Sequence, residues 1–167
     1  MFKNLFRKKE EPADKLLEIK SPMNGRYVKI EDIPDPVFSE KMMGEGFGIE
    51  PSDGEVVSPI DGEIMQVFPT NHAVGIKAAN GIELLIHIGL ETVAMDGRGF
   101  TGHVSEGDNV RAGDRLVSFD MDLVTKEADS TISPVIITNS DALQSFDVLE
   151  TGEVAGGQTV VASAEIS

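Results

Sequence analysis

"NHAVGIKAANGIELLIHIGLETV", from Asn71 to Val93, holds two of the three histidines in the chain, His72 and His87, with Asn80-Gly81 between them. Asn-Gly flanked by alternating apolar residues is a strong hairpin signal. Read as a two-residue type I′ loop, it pairs Ala79 with Ile82, sets His72 opposite Gly89, and sets His87 opposite Val74. Paired residues share a face, as do residues two apart along a strand. The two histidines then lie on one face as diagonal neighbours, about 7–8 Å apart between the two backbones. A slip of one residue would send them to opposite faces. The other face, with Ile82, Leu84, Ile86, Ile88 and Leu90, is the expected core. The histidine face would carry Val74, Ile76 and Leu85 near the surface, an apolar patch of the kind that meets a protein partner.

The same cadence runs through the rest of the chain. Short β-branched runs are cut by Asn24-Gly25, Asp53-Gly54, Asp61-Gly62, Glu106-Gly107-Asp108 and Ala112-Gly113-Asp114. This predicts an all-β fold, a compact antiparallel β-sandwich or barrel, with a short helical turn near Pro36–Met43. "SPMNGR" (Ser21–Arg26) recurs as "SPIDGE" (Ser58–Glu63), so duplicated hairpin units are expected, with "TISPVIITN" (Thr131–Asn139) as a partial third copy. Residues 1–18 differ. Met1, Phe2, Leu5 and Phe6 fall at helical spacing among Lys3, Arg7, Lys8 and Lys9. They read as a flexible basic amphipathic tail, with peripheral membrane contact through residues 1–9 as the functional alternative to plain solvation.

The 167 residues suit one folded domain, here residues 19–167, with a core that needs no staples. The chain has no cysteine, which excludes disulfides and cysteine chemistry and fits a cytoplasmic location. A net charge of −15 excludes nucleic acid as a partner and favours a basic protein surface. No apolar run is long enough to span a membrane.

Two imidazoles side by side permit three chemistries. One can be a nucleophile while the other balances charge. The pair plus Glu83 or Glu91 could hold zinc. The pair could work as acid and base. Spacing does not choose among them.

"FPTNHAVGIK" and "ELLIHIGLETV" resemble the signature of the glucose-type IIA component of the bacterial phosphoenolpyruvate-dependent sugar phosphotransferase system. "DIPDPVFSEKMMGEGFGIEP", "VVSPIDGEI", "EGDNVRAGDRLVSFD" and "TISPVIITN" look like that family too, in its order, so the resemblance covers roughly residues 20–165. It implies a duplicated hybrid barrel-sandwich and a phosphocarrier working through a phosphohistidine. The group would arrive from the small histidine-containing phosphocarrier protein and leave to a IIB domain of a sugar permease. His87 matches the phosphorylated histidine and His72 its partner, with Thr70 as the residue that orients His72. A backbone carbonyl near Gly89 would hold the His87 tautomer. The docking patch maps to Val37, Phe38, Phe68, Ile76 and Leu85, with Glu91 and Asp96 as acidic rim residues, each of which could equally be a solvated surface charge. Leu85 stands where the best-known members carry an aromatic, and Glu91 where many carry Asp. No cofactor is implied for the free protein; zinc on His72 and His87 would need a carboxylate from a partner. His103 lies outside the signature and is expected at the surface. The rivals from other classes are a zinc-dependent hydrolase and a biotinyl- or lipoyl-like carrier, the latter needing a lysine at an exposed hairpin tip.

Overall fold

Two matching turns organise the chain. The Ser21 hydroxyl donates to the Met23 carbonyl, and the Ser58 hydroxyl donates to the Ile60 carbonyl, each at 2.6 Å. Both serines are fully buried, so each hydroxyl needs an internal partner. The two turns also bond to each other: Lys20 N–H donates to the Pro59 carbonyl (3.0 Å) and Val57 N–H to the Pro22 carbonyl (2.8 Å). Asn24 Oδ1 accepts from Gly156 N–H, and Asp61 Oδ1 from Ala112 N–H, each at 2.8 Å. The repeated hexapeptide is thus the mark of two structurally equivalent halves.

The computed structural model describes residues 16–166. Among these the strands are β1 (Leu16–Lys20), β2 (Gly25–Val28), β3 (Glu45–Pro51), β4 (Glu55–Val57), β5 (Gly62–Val67), β6 (Ala73–Lys77), β7 (Glu83–His87), β8 (Phe100–Gly102), β9 (Asn109–Val110), β10 (Arg115–Phe119), β11 (Ser133–Ile137), β12 (Leu143–Val148), β13 (Glu153–Val154) and β14 (Val160–Ile166). Helices are short: Pro36–Ser39 and Met121–Glu127, with 3-10 turns at Ile30–Asp32, Thr92–Met95 and Ser140–Ala142. The fold is all-β and antiparallel, as expected.

An eight-stranded sheet runs β13-β2-β3-β11-β7-β6-β5-β9, beside two three-stranded sheets, β1-β14-β12 and β4-β10-β8. The duplication is visible in this order. Gly25 pairs with Val154 at one edge as Gly62 pairs with Val110 at the other. Moving inward, β2 answers to β5, β3 to β6 and β11 to β7. The small sheets answer to one another through β14 and β10. A main core fills the interior, with Ile19, Phe47, Ile76, Leu84, Ile86 and Val117 fully buried. A second, smaller cluster of Ile30, Ile33, Phe38, Leu90 and Ile136 fastens the segment between β2 and β3 over the middle of the large sheet. Burying an Ile, Leu or Phe side chain contributes about 1.5–3 kcal/mol, so three such anchors hold this segment firmly.

Three expectations are corrected. The first is the hairpin register. Ala73 pairs with His87 and Val74 with Ile86, one residue off the expected pairing. The loop is three residues long: Ala78 N–H donates to the Ile82 carbonyl (2.8 Å), and Gly81 N–H to the Ala78 carbonyl (3.0 Å). Gly81 takes the positive φ, +99°, while Asn80 does not, so this is a turn closed by a left-handed glycine instead of type I′. Val74 and Ile76 consequently point into the main core, beside Leu84 and Ile86. The second is the tail. Leu16–Glu18, placed in it, belong to β1 and pair with Glu165–Ser163 of β14. The remainder of that segment, with its expected membrane contact through residues 1–9, lies outside the described residues. The third is the partial repeat. Ser133-Pro134 sits inside β11 and not in a turn before it, because no Asn/Asp-Gly follows to bend the chain.

Candidate active site

His87 is the last residue of β7, where Gly89 turns the chain with φ +70°. Its Nδ1–H donates to the Gly89 carbonyl at 2.8 Å, the contact anticipated from the sequence. A carbonyl only accepts, so the proton of the neutral ring sits on Nδ1 and the lone pair on Nε2. The acceptor is itself fixed. Gly89 N–H donates to Ser133 Oγ (3.0 Å), whose hydroxyl donates to the Thr131 carbonyl (2.9 Å). Thr92 Oγ1 donates to the neighbouring Ile88 carbonyl (2.6 Å).

His72 bonds through its backbone to β7, its carbonyl accepting from Ile88 N–H at 2.7 Å. With the observed register, strict alternation would put its ring on the face away from His87. The rings nevertheless meet, their centroids 5.1 Å apart at 77°. The reason is local. The chain bends at Asn71 and His72, before regular strand begins at Ala73, so alternation does not extend to His72. The same bend brings Thr70 Oγ1 into hydrogen-bond contact with His72 Nδ1. Each imidazole also has an aromatic neighbour. Phe38 lies 5.5 Å from His87 and Phe68 lies 5.4 Å from His72, centroid to centroid.

Both rings are held neutral near pH 7. Burial, with the like charge of His87 adding to it, pushes the His72 imidazole down to about 4, and its residue is only 5 % exposed. Burial also lowers His87; the Gly89 carbonyl and the carboxylates of Asp35 and Glu91 oppose that without overcoming it. A half-buried neutral imidazole with a free Nε2, next to a second neutral imidazole, suits nucleophilic group transfer.

Around the pair, Val37 is 40 % exposed, and Phe38 is buried against His87. Phe68 and Leu85 line a shallow cleft of about 170 Å³ with Met65, Gln66, Gly75 and Thr138. Ile76 is corrected: it is fully buried in the main core and has no surface to offer a partner, a direct result of the register. Glu91 and Asp96 are exposed residues with left-handed backbone at either end of the Thr92–Met95 turn. His103 is exposed and 2.8 Å from Ser118 Oγ. Sequence reasoning missed Met65, Asp35 and Ser133. For Asp35 a signal existed: Asp-Pro opens a helix, and Asp35 Oδ1 accepts from Val37 N–H (3.0 Å).

Among the described residues no cluster of three or more His, Asp or Glu is placed to hold a metal ion. Two imidazoles alone fall short of the three protein ligands typical of catalytic zinc. Lys77 closes β6 and Lys126 lies inside the Met121–Glu127 helix, so neither stands at the hairpin tip a swinging-arm carrier needs.

A family model for the phosphoenolpyruvate-dependent sugar phosphotransferase system, EIIA 1, matches residues 17–143. The chain belongs to that family. The PTS system glucose-specific EIIA component of Staphylococcus epidermidis is 55 % identical over 167 residues, covering 100 % of both chains. Those of Staphylococcus aureus and Halalkalibacterium halodurans are 56 % identical over 161 residues and 54 % identical over 171 residues, covering 96 % and 99 % of each chain. Among solved structures, glucose permease IIA from Mycoplasma capricolum is 39 % identical with a TM-score of 0.84, covering 89 % of this chain and 96 % of that one. As an EIIA family member, the chain is a phosphotransferase component of sugar transport. No helix among the described residues is long and apolar enough to cross a membrane.

Proposed function

We propose that this EIIA chain is a phosphocarrier that takes a phosphoryl group onto His87 Nε2 from the small histidine-containing phosphocarrier protein and passes it to the IIB domain of a glucose-type permease. The observation that carries the reading is the hydrogen bond from His87 Nδ1–H to the Gly89 carbonyl, in a ring whose centroid lies 5.1 Å from that of His72. The lone pair of Nε2 attacks phosphorus as the P–N bond to the donor imidazole breaks, and the electron pair of that bond returns to the donor. The onward step repeats this toward the IIB acceptor. With Thr70 Oγ–H as the donor to His72 Nδ1, the His72 proton sits on Nε2, where it meets the phosphoryl oxygens as charge shifts across them. Phe38, Phe68, Val37 and Leu85 exclude water and form the contact surface, with Glu91 at its rim meeting basic groups of the carrier. The acidic chain, net −15, favours such a partner. The group originates from cytoplasmic phosphoenolpyruvate, so the protein works in the cytoplasm. Zinc on His72 and His87 would need a carboxylate from a partner.

The test incubates the protein with labelled phosphoenolpyruvate, Enzyme I and the phosphocarrier. Wild type takes up a heat-stable, acid-labile phosphoryl group, His87→Ala takes up none, and His72→Ala accepts it but passes it on poorly. Label retained on His87→Ala overturns the assignment.

A further inference from the structure

Thr70 and His72 are two residues apart, and their side chains bond only because of the residue between them. Asn71 has φ +60°, one of four non-glycine residues with positive φ among those described. Its N–H closes a turn onto the Phe68 carbonyl at 2.7 Å. The turn folds Thr70 back onto the His72 ring and sets Phe68 against its edge. Asparagine tolerates the left-handed region better than most residues, and a β-branched residue tolerates it poorly.

A neighbouring strand lies against the Asn71 side chain. Gly102, in β8, lies under the Asn71 amide, and a Cβ there would come within 2.6 Å of Asn71 Oδ1 and 3.1 Å of its Cγ. Gly97 packs along the Thr70 backbone at ordinary contact distance.

We propose that Asn71 is a positioning residue: its left-handed backbone presents the Thr70 hydroxyl to His72 Nδ1 and so fixes which ring nitrogen of His72 carries the proton. This deepens the phosphocarrier reading and rests on it for its functional consequence. Asn71 itself touches no reacting atom. It acts through Thr70, and the outcome is a His72 that always faces the transfer with Nε2–H.

The experiment compares wild type with Asn71→Gly, Asn71→Val and Asn71→Ala. Nitrogen-15 NMR of the imidazoles reads the His72 tautomer directly and needs no phosphoryl donor; transfer to a IIB domain is measured beside it. Wild type and Asn71→Gly show a single Nε2–H tautomer and transfer within threefold of one another. Asn71→Val shows a tautomer mixture and onward transfer lowered about tenfold, with uptake on His87 retained, and Asn71→Ala shifts the same way by less. If Asn71→Val does not fold, Asn71→Ala decides by the same two readouts. An unmixed Nε2–H tautomer in the folded Asn71→Val protein, or in Asn71→Ala where Asn71→Val does not fold, overturns the proposal, as does Nδ1–H in wild type, or an Asn71→Gly protein as impaired as Asn71→Val. A wild type that takes up no phosphoryl group defeats the phosphocarrier reading instead, and the tautomer result still decides the role of Asn71.

Discussion

Replacing Gly89 with alanine should be the most informative backbone perturbation, and its size follows from two contributions. The left-handed φ of +70° costs an L-residue about 1–2 kcal/mol. The added Cβ would also stand 2.8 Å from Thr92 Cγ2 and 3.1 Å from the Ser130 carbonyl. Neither neighbour yields readily, since Thr92 is fully buried with its hydroxyl bound to Ile88, so overpacking adds about 1–3 kcal/mol. Gly107 is the control. Its φ is +94°, and a Cβ there would meet nothing within 4 Å, so Gly107→Ala carries only the conformational cost. At about 2–4 °C per kcal/mol for a chain of this size, Gly89→Ala should melt about 4–20 °C lower and Gly107→Ala about 2–8 °C lower. Gly89→Ala should also disturb the His87 Nδ1–H signal in nitrogen-15 NMR and slow phosphoryl uptake, while Gly107→Ala leaves both alone. Equal melting temperatures for the two variants, with an unchanged His87 signal, would refute the claim that the Gly89 peptide is held under steric constraint as the tautomer lock.

Two further outcomes are expected. His72 is held down to about 4 in the folded chain but titrates near 6.5 when unfolded, so the unfolded state binds the extra proton across that window and stability falls as pH drops from about 6.5 to about 4, by about 3 kcal/mol at most; urea denaturation of wild type against His72→Gln should show that share of the acid slope missing from the variant, and identical slopes would count against it. Ser21→Ala and Ser58→Ala should each cost about 1–2 kcal/mol and by matching amounts, because the two hydroxyls make the same 2.6 Å bond in equivalent places; a denaturation series with clearly unequal losses would argue against equivalence of the halves.

The fold class was legible because Asn/Asp-Gly turns and β-branched runs are local signals, and the duplicated Ser-Pro turn can be read without knowing what it touches. The hairpin register was not. Asn80-Gly81 supports a two-residue or a three-residue loop, and the choice depends on which residue takes the positive φ, here Gly81 alone. The single-residue error moved Ile76 from the surface to the core. It would also have separated the histidines, had the strand continued through His72; a bend at Asn71 restored the pair. The expectation of adjacent rings therefore rested on a pairing the structure does not have, and the family resemblance was the sounder guide. Ser133 reaches the site through a contact distant in sequence, which no spacing rule exposes, whereas Asp35 was announced locally by Asp-Pro.

The pairing of Leu16 with Glu165 joins the first and last described strands edge to edge. Leu16 also borders the groove shared with Ala79 and Asn80, at the tip of the hairpin whose opposite end carries the imidazoles. A second module joined directly before Leu16 or directly after Ile166 would hang from that remote corner, roughly 17 Å of strand from the chemistry. Tethering of this kind would leave the reactive surface open to visiting proteins, and a fused acceptor domain would need a linker long enough to travel around the barrel before it could receive its cargo.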